Sequence, residues 1–396
     1  MITEGCGAGR GVAVGERTLV VTNDFPPRTG GIESFVLAMV SRLEPGSVVV
    51  HTARQPGDAA FDATLPFPVY RDPSPLLVPS PTVARRAADL VRAERCTSVW
   101  FGAAAPLGLM ASGLRAAGVR RTVATTHGHE VWWAAAPGTR AALRRIGDTN
   151  DVVTFLGSFT RARIGRALSP AAAARMVQLT PGVDDAAFRP GAGEGAVRRA
   201  YGLGDRPVVV CVSRLVARKG QDTLVRALPV IRSEIQDAAL LLVGGGPRLP
   251  ALRRAVAELG LGHSVVFTGA KPWQHLPPYY AAGDVFAMPT RTRLGGLEVE
   301  GLGIVYLEAS ATGLPVVAGD SGGAPDAVLP GETGYVVDGC SVPDVASRIV
   351  ELLGNRPLAA GMGRRGRRWV EQRWRWDDLA RRLAALLAGD PVPPAR

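Results

Sequence analysis

Short apolar runs of three to six residues recur along the chain, and each is followed by sequence with helical periodicity. In the first half the runs predict buried strands at 18–22, 48–52, 99–102, 121–126 and 152–156. In the second half they predict strands at 207–212, 239–243, 265–268, 285–288 and 316–318. Strands that alternate with helices in both halves predict an α/β protein with two Rossmann-like parallel-sheet domains facing one another across a cleft.

The domain boundary is predicted in a turn-rich stretch that contains Pro181 and Pro190. This divides the chain into an N-terminal domain at 17–190 and a C-terminal domain at 191–370. An amphipathic stretch rich in tryptophan and arginine predicts a closing helix at 371–390. The Gly-rich residues 1–16 lack the apolar segment of a signal peptide and are predicted to be a disordered leader, and 391–396 a disordered tail.

The net charge leaves several kinds of partner open. The chain carries 46 Lys plus Arg against 35 Asp plus Glu, a formal charge of +11. This excess of positive charge is compatible with three kinds of partner: nucleic acid, an anionic membrane surface or an anionic substrate. It could also reflect only a bias in composition, with no partner. Nucleic-acid binding would need a basic groove lined with aromatic residues or a recognition helix, and the sequence has neither, so we expect no nucleic-acid partner. The four cysteines have no metal-binding spacing, which favours reduced thiols in the cytoplasm.

The segment 300–308 combines two carboxylates with a predicted helix start. The pattern predicts a strand, a loop and then a helix entered near Gly303, so the amides of Ile304 and Val305 would lack helical partners and would favour an anion. Glu300 and Glu308 at either end of this site would accept hydrogen bonds from sugar hydroxyls. An anion pocket between two hydroxyl acceptors favours a nucleotide sugar; the alternative is a surface helix with two solvated glutamates.

A glycine pair follows the first predicted strand and precedes a helix from about residue 32 to 43. Gly30 and Gly31 would let backbone amides approach an anion closely, as in a phosphate-binding loop, or would simply form a tight turn. The Pro-rich residues 56–81 are predicted to be a loop. The helix that follows, at 83–94, is amphipathic and carries Arg85 and Arg86, which suits either an ordinary surface helix or a membrane contact.

A polar cluster follows the strand at 121–126 and reads His127, Gly128, His129 and Glu130. Residues just past the carboxyl end of a strand are placed where open α/β sheets bind ligands. The spacing of the two histidines and the glutamate is not that of a zinc site, so we predict no metal. His127 is either a substrate-facing histidine or a structural one with satisfied hydrogen bonds.

Several motifs resemble one enzyme family. Ser213-Arg214-Leu215 is followed by Arg218-Lys219-Gly220, Glu300 and Glu308 form an E-x7-E pair, and Ser-Gly-Gly-Ala-Pro stands at 321–325. Together with the glycine pair, these motifs are similar to those of the retaining family 4 glycosyltransferases of the GT-B fold. Segments 21–32, 100–107, 126–131 and 151–155 are especially similar to the members of that family that use GDP-mannose and phosphatidylinositol monomannoside. The leader to Arg17 and Asp326, where the family usually has glutamate, depart from the pattern.

The resemblance implies a role for each candidate residue. Arg214 and Lys219 would bind the diphosphate of the donor with the amides of Ile304 and Val305, Glu308 would hold the ribose, and Glu300 would contact the transferred sugar. The resemblance adds four further donor positions: Gly30, Gly31, Gly245 and the backbone near Lys271. His127 would lie beside the donor sugar; the acceptor is assigned to His129, Glu130, Arg85 and Arg86.

The resemblance also implies the reaction and its partners. The donor would be GDP-mannose, the acceptor an anionic phosphatidylinositol glycolipid, and no cofactor or metal would be required. The enzyme would be cytoplasmic and bound peripherally to the inner face of the plasma membrane. A family relative with another nucleotide sugar or another acceptor is the alternative.

Overall fold

A computed structural model describes residues 16–392, and the chain divides into two α/β units. Unit 1 contains the chain up to Pro181 and the C-terminal segment from Trp376, and unit 2 runs from Gly182 to Arg375. Each unit is built on one parallel sheet, so the predicted pair of Rossmann-like domains is confirmed. The predicted leader, apart from residue 16, lies outside the described residues, as does the predicted tail apart from 391 and 392.

The sheet of unit 1 has seven parallel strands in the order β3-β2-β1-β4-β5-β6-β7. The strands are β1 Thr18–Thr22, β2 Val48–Ala53, β3 Val69–Asp72, β4 Ser98–Phe101, β5 Arg121–Thr125, β6 Val152–Phe155 and β7 Val177–Gln178. The strand order reverses between β1 and β4, which pair directly. A ligand site in such a sheet is expected at the carboxyl ends of these two strands.

The helices of unit 1 cover both faces of its sheet. They are α1 Gly31–Val40, α2 Asp58–Asp62, α3 Pro81–Ala93, α4 Ala111–Ala116, α5 Glu130–Ala135, α6 Pro137–Thr149, α7 Ser158–Gly165 and α8 Pro170–Ala174, with α16 Trp376–Ala388 returning from the C-terminus. One buried cluster contains Phe35 of α1, Trp100 of β4 and Leu383 of α16, and another contains Phe101 and Val91. Because both faces of the central strands are buried, those strands are rich in apolar residues.

The sheet of unit 2 has six parallel strands in the order β10-β9-β8-β11-β12-β13. The strands are β8 Val208–Val212, β9 Ala239–Val243, β10 Val265–Gly269, β11 Val285–Met288, β12 Val316–Gly319 and β13 Gly334–Val337. The helices are α9 Glu194–Ala200, α10 Gln221–Glu234, α11 Leu249–Glu258, α12 Pro277–Ala281, α13 Ile304–Ala311, α14 Val342–Gly354 and α15 Arg356–Arg373. The order reverses between β8 and β11, so the loops after these strands flank the expected ligand site.

The division between the units falls at Pro181 and Gly182, earlier than the predicted 190 and 191. The intervening segment packs into unit 2: Phe188 is fully buried, and the Val183 amide donates to the Trp374 carbonyl at 2.7 Å. The turn residues there indicated the change of domain, but their composition did not show which unit would bury Phe188.

The segment predicted as a closing helix at 371–390 contains the end of one helix and the whole of another. Helix α15 ends at Arg373 in unit 2, and α16 begins at Trp376 and packs on α1 in unit 1. Leu379, Leu383 and Leu387 of α16 are buried in the core of unit 1, which explains why the apolar pattern continues to the end of this segment.

The predicted loop at 56–81 is also wrong in part, because it contains α2 and the edge strand β3. Strand β3 pairs with β2, and its exposed Tyr70 and partly buried Val69 do not give the apolar run of an interior strand. Within residues 16–392, the structure has no helix that is long and apolar enough to cross a membrane.

Candidate active site

Lys219 and Glu300 form a buried ion pair at the point where the strand order of unit 2 reverses. Lys219 follows β8, Glu300 follows β11, and Lys219 Nζ lies 2.6 Å from Glu300 Oε2. The two residues are 8% and 7% exposed. An ammonium has three N–H donors and a carboxylate has two oxygens, so the bond between them uses one of each and leaves capacity for a ligand.

The backbone at Lys219 is held against the end of β11. Gly220 follows Lys219 with φ +75°, and a Cβ there would lie 1.9 Å from the carbonyl oxygen of Pro289. Only glycine allows both this conformation and this approach. On the other side of the pair, the Gly323 amide donates to the Glu300 carbonyl at 2.9 Å. Both charged side chains therefore project from backbone that neighbouring loops hold in place.

Helix α13 begins four residues after Glu300, at Ile304, as predicted. Gly303 is its N-cap with φ +80° and ψ +65°, and a Cβ there would lie 2.5 Å from the Tyr306 ring. The amides of Ile304 and Val305 belong to the first turn of the helix, where backbone donors lack intrahelical acceptors. The start of α13 can therefore bind an anion near the buried ion pair.

Glu308 lies one turn into α13 and is 4% exposed. Its Oε1 accepts a hydrogen bond from Trp273 Nε1 at 2.9 Å, and its Oε2 accepts one from the Tyr280 hydroxyl at 2.6 Å. Burial raises the pKa of Glu308, and the two hydrogen bonds oppose that change by stabilising the carboxylate. Each carboxylate oxygen has a second lone pair, so Glu308 can still accept hydrogen bonds from a ligand.

The loops after β8, β9 and β10 bring three other candidate positions to the same edge of the sheet. The Leu215 amide, next to Arg214, donates to the Gly245 carbonyl at 2.9 Å. A Cβ on Gly245 would lie 3.5 Å from Ala270, next to Lys271. The Arg214 side chain is exposed, and hydrogen bonds from Lys271 to tyrosine hydroxyls raise the pKa of Lys271. The predicted donor residues of unit 2 therefore occupy adjoining loops.

His127 follows β5 in unit 1 and makes a close contact with the loop after β4. Its Nε2 lies 2.6 Å from the carbonyl oxygen of Gly102, so Nε2 carries the proton, and the ring packs edge-on against Phe35 at 5.1 Å between centroids. Burial lowers the pKa of His127 to about 4. At neutral pH the ring is therefore uncharged and its Nδ1 is a hydrogen-bond acceptor.

Glu130 shapes the loop that carries His127. Its Oε2 accepts hydrogen bonds from the amides of His127 at 2.9 Å and Gly128 at 3.1 Å, and the residue is fully buried. Burial raises the pKa of Glu130. His129 is exposed, and its Nε2 lies 3.3 Å from Glu130 Oε1. Of these two predicted acceptor residues, the structure leaves only His129 accessible from solvent.

The glycine pair lies at the start of α1 beside an acidic side chain that sequence reasoning missed. The Glu33 carboxylate is within 2.2 Å of the place where a Cβ on Gly30 would lie, whereas a Cβ on Gly31 would meet nothing within 4 Å. Arg28 bridges Glu33 Oε1 at 2.6 Å and Asp24 Oδ1 at 2.7 Å. A carboxylate over Gly30 disfavours a phosphate there and favours hydroxyl groups.

The two arginines of α3 have different surroundings. Arg85 is exposed, whereas Arg86 donates to both oxygens of the buried Asp72 at 2.9 and 3.0 Å. His51 lies 3.6 Å from the same carboxylate, and burial lowers the pKa of this histidine. Among residues 16–392, no group of three or more His, Cys, Asp or Glu residues is arranged to hold a metal ion.

Two parallel-sheet units, with a lysine and two glutamates at the switch point of the second, are characteristic of GT-B glycosyltransferases. The family models that match the chain are glycosyltransferase family 4 at residues 29–187 and glycosyl transferases group 1 at 195–369. Among solved structures, Anabaena Alr3699/HepE in complex with UDP aligns over 94% of this chain and 100% of its own, with a TM-score of 0.78 and 18% identity. WaaG, a glycosyltransferase involved in lipopolysaccharide biosynthesis, aligns over the same shares with a TM-score of 0.62 and 17% identity.

Sequence relatives match over nearly the whole chain. The GDP-mannose-dependent alpha-(1-6)-phosphatidylinositol monomannoside mannosyltransferase of Mycobacterium tuberculosis is 51% identical over 94% of this chain and 98% of its own. A Corynebacterium glutamicum protein, named as the mannosyltransferase for the monoacylated form of that acceptor, is 43% identical over 96% of this chain and 100% of its own. The chain belongs to the family 4 glycosyltransferases, and the predicted family, GT-B fold and enzyme class are confirmed.

Proposed function

We propose that this chain is a retaining mannosyltransferase that moves mannose from GDP-mannose to a phosphatidylinositol monomannoside and forms the dimannoside. The observation that carries the proposal is the buried Lys219–Glu300 pair beside the start of α13, in a chain that is 51% identical to relatives named for this reaction. The site supplies a cation, amide dipoles and carboxylates, which suit a diphosphate and the hydroxyls of two sugars.

The proposed roles in unit 2 follow from charge. As the bond between C1 of mannose and the β-phosphate oxygen breaks, negative charge grows on GDP, and Lys219, Arg214 and the amides of Ile304 and Val305 would stabilise it. The bond between Lys219 and Glu300 fixes the ammonium and leaves Glu300 Oε1 to accept from a mannose hydroxyl. Glu308 would hold the ribose, and Gly245 and the backbone of Lys271 would adjoin the base.

The configuration at C1 is proposed to be retained because attack and departure take place on the same face of the sugar ring. The acceptor oxygen would form its bond to C1 on the face that GDP leaves, and the acceptor proton would pass to an oxygen of the departing phosphate. His127, uncharged at neutral pH, would orient the donor sugar by accepting a hydrogen bond at Nδ1. No cofactor is proposed, because fixed cations supply the charge that a metal would otherwise provide; transfer that survives dialysis against EDTA is the expected result.

The acceptor and the membrane are assigned to unit 1. Gly30 and Gly31, at the start of α1, and the exposed His129 follow β1 and β5 at the carboxyl edge of the sheet, where sugar hydroxyl groups would bind. Glu130 would fix the backbone after β5 through its hydrogen bonds to the His127 and Gly128 amides. Arg86 would act mainly through its pair with Asp72, and Arg85 would face anionic lipid. The enzyme would work in the cytoplasm, attached peripherally to the inner face of the plasma membrane.

The membrane contact is proposed at the segment that leads into α3. Leu76 and Val78 are 53% and 48% exposed on either side of the fully buried Leu77, so both of these side chains are accessible from solvent. The exposed Arg85 follows in the first turns of α3. Apolar side chains next to a basic residue suit the surface of an anionic bilayer.

Replacing both Leu76 and Val78 by serine is expected to reduce binding to vesicles that contain phosphatidylinositol by tenfold or more. The reason is that full burial of each apolar side chain contributes about 1.5–3 kcal/mol. Arg85→Ala should reduce it about fivefold, since one basic residue contributes about 1 kcal/mol, and only at low salt. Sedimentation with vesicles measures both. Val230→Ser, at a 48% exposed position in unit 2, is the matched control. Unchanged sedimentation of the double variant would remove this segment from the membrane contact.

Mass spectrometry tests the function as a whole. The protein is incubated with GDP-mannose and a mycobacterial lipid extract, and the phosphatidylinositol monomannosides are expected to gain one hexose. Thermal unfolding with GDP-mannose and UDP-glucose in separate samples tests the donor, and stabilisation by GDP-mannose is expected. Stabilisation by the uridine donor alone would instead support the alternative, a family 4 enzyme with another donor or acceptor.

A further inference from the structure

Trp273 is half-exposed and at the same time bonded to a buried carboxylate. Its side chain is 48% exposed, yet its indole N–H donates at 2.9 Å to the carboxylate of Glu308, which is only 4% exposed. A half-exposed tryptophan is ordinary by itself. Here the exposed ring is tied to a buried charge at the carboxyl edge of a parallel sheet, where ligands bind.

Aromatic packing holds the indole in one orientation. The fully buried Phe188 lies 5.5 Å from the Trp273 ring at an interplanar angle of 63° and 5.4 Å from the Tyr280 ring at 86°. Tyr280 is the second donor to Glu308, at 2.6 Å. Two aromatic donors that pack on one phenylalanine therefore position a single carboxylate, while the Trp273 side chain stays 48% exposed.

Distances place any ligand of Glu308 next to this indole. A hydroxyl that donates to Glu308 Oε1 lies about 2.5–3.0 Å from that oxygen, and Trp273 Nε1 is 2.9 Å from the same atom. The hydroxyl oxygen therefore lies within about 6 Å of Nε1. Other atoms of the same ribose can then approach the indole to van der Waals contact, at about 4.0–4.5 Å.

We propose that Trp273 forms one wall of the nucleoside subsite, where its N–H positions Glu308 and its exposed ring packs against the ribose and base of the donor. This inference rests on the proposed function, because it takes Glu308 as the ribose acceptor. Every nucleobase has a π-face that can stack on an aromatic side chain, so Trp273 contributes affinity for the nucleoside. The nucleoside is the end of the donor away from the bond that breaks, so Trp273 affects binding of the donor and not the rate of transfer.

Two variants separate the ring from its N–H group. Trp273→Phe keeps an aromatic ring without the donor, and Trp273→Leu removes both. We expect the Kd for GDP to rise about 5- to 150-fold in Trp273→Leu, the range for loss of one stacked base, and by less in Trp273→Phe. At saturating donor kcat should be unchanged, since the nucleoside is bound equally in the ground and transition states. Trp132→Phe, at a 52% exposed position in unit 1, is the control.

Two further measurements respond to the position of the indole and not to a general structural role. GDP should quench the tryptophan fluorescence of the wild type and of Trp132→Phe, and this quenching should be lost in Trp273→Phe. The hydrogen bond from Trp273 opposes the rise in the pKa of Glu308. In Trp273→Phe, therefore, affinity for GDP should decline at a higher pH during acidification than in the wild type.

The outcomes distinguish this inference from the proposed function. If the wild type binds GDP and transfers mannose, but Trp273→Leu has the same Kd and Trp273→Phe keeps the quenching, the inference is overturned and the proposed function stands. If the wild type binds no guanosine nucleotide, the proposed function fails first. A fall in kcat and in thermal stability without a change in Kd would show a structural role and would also overturn the inference.

Discussion

Lys219→Ala is expected to lower kcat by about 10²–10³-fold, the usual effect of removing one donor that stabilises charge in the transition state. Lys219 Nζ is 2.6 Å from Glu300 and beside the start of α13, so its charge would act on the departing diphosphate. Because this charge develops as the glycosidic bond breaks, kcat should fall more than affinity for GDP-mannose. Steady-state kinetics over a range of donor concentrations measure the two effects separately.

The loss of Lys219 also leaves the buried Glu300 carboxylate with only a more distant cation, Arg218, whose Nε lies 3.9 Å from Oε2. This is expected to destabilise the fold by up to about 3–5 kcal/mol. Adding Glu300→Gln removes the poorly compensated charge, so Lys219→Ala/Glu300→Gln should regain thermal stability without regaining activity. Arg226→Ala is the matched control. Arg226 is half-exposed and forms an ion pair with Asp222, and Asp222 keeps a second partner, Arg291, when Arg226 is removed. A folded Lys219→Ala enzyme with wild-type kcat would end the assignment of Lys219 to the diphosphate.

Glu308→Gln is expected to raise the Kd for GDP by about 10- to 100-fold, since a hydrogen bond to a charged group contributes about 1.5–3 kcal/mol. The amide nitrogen of glutamine cannot accept a hydrogen bond from Trp273 or Tyr280, so the side chain would also lose one of its two fixed contacts. Isothermal titration with GDP measures this loss. Glu298→Gln is the control, because Glu298 lies on the same loop as Glu300 and is paired with Arg293 at 2.6 Å.

A nucleotide without ribose hydroxyls tests the assignment of Glu308 directly. The wild type should bind 2′,3′-dideoxy-GDP more weakly than GDP, whereas Glu308→Gln should bind the two nucleotides with similar affinity. Burial raises the pKa of Glu308, and only the ionised carboxylate accepts at both oxygens. Wild-type affinity for GDP should therefore fall with acidification at a pH above the ordinary glutamate value of 4.5. Equal discrimination by wild type and variant would contradict the ribose assignment.

The local pattern was enough to predict most interior strands. The runs at 208–212 and 239–243 are apolar throughout because helices cover both faces of these strands. Edge strands β3, β7 and β13 were missed because they have only two to four residues and are partly exposed. The end of α15 was also missed, since Trp374 and Trp376 continue one apolar pattern although they pack in the cores of different units.

The candidate site was predictable in part. Gly303 marks the start of α13 because its positive φ favours glycine, and the E-x7-E spacing places Glu300 before the helix and Glu308 within it. Trp273 and Tyr280 were missed as partners of Glu308, although a tryptophan shortly after the predicted strand at 265–268 was a signal. Glu33 was missed because only its side-chain conformation, in the first turn of α1, places the carboxylate over Gly30.

The sequence by itself determined two parallel sheets, the glycines at the helix starts, and the kinds of charged groups at the ends of the strands. These features depend on the spacing of neighbouring residues, which sets local backbone conformation and the side that is buried. Only the tertiary structure decided that Lys219 pairs with Glu300 across 81 residues and that α16 completes unit 1. The physical reason is that such pairings depend on strand order and packing, where β8 meets β11, and not on any local periodicity.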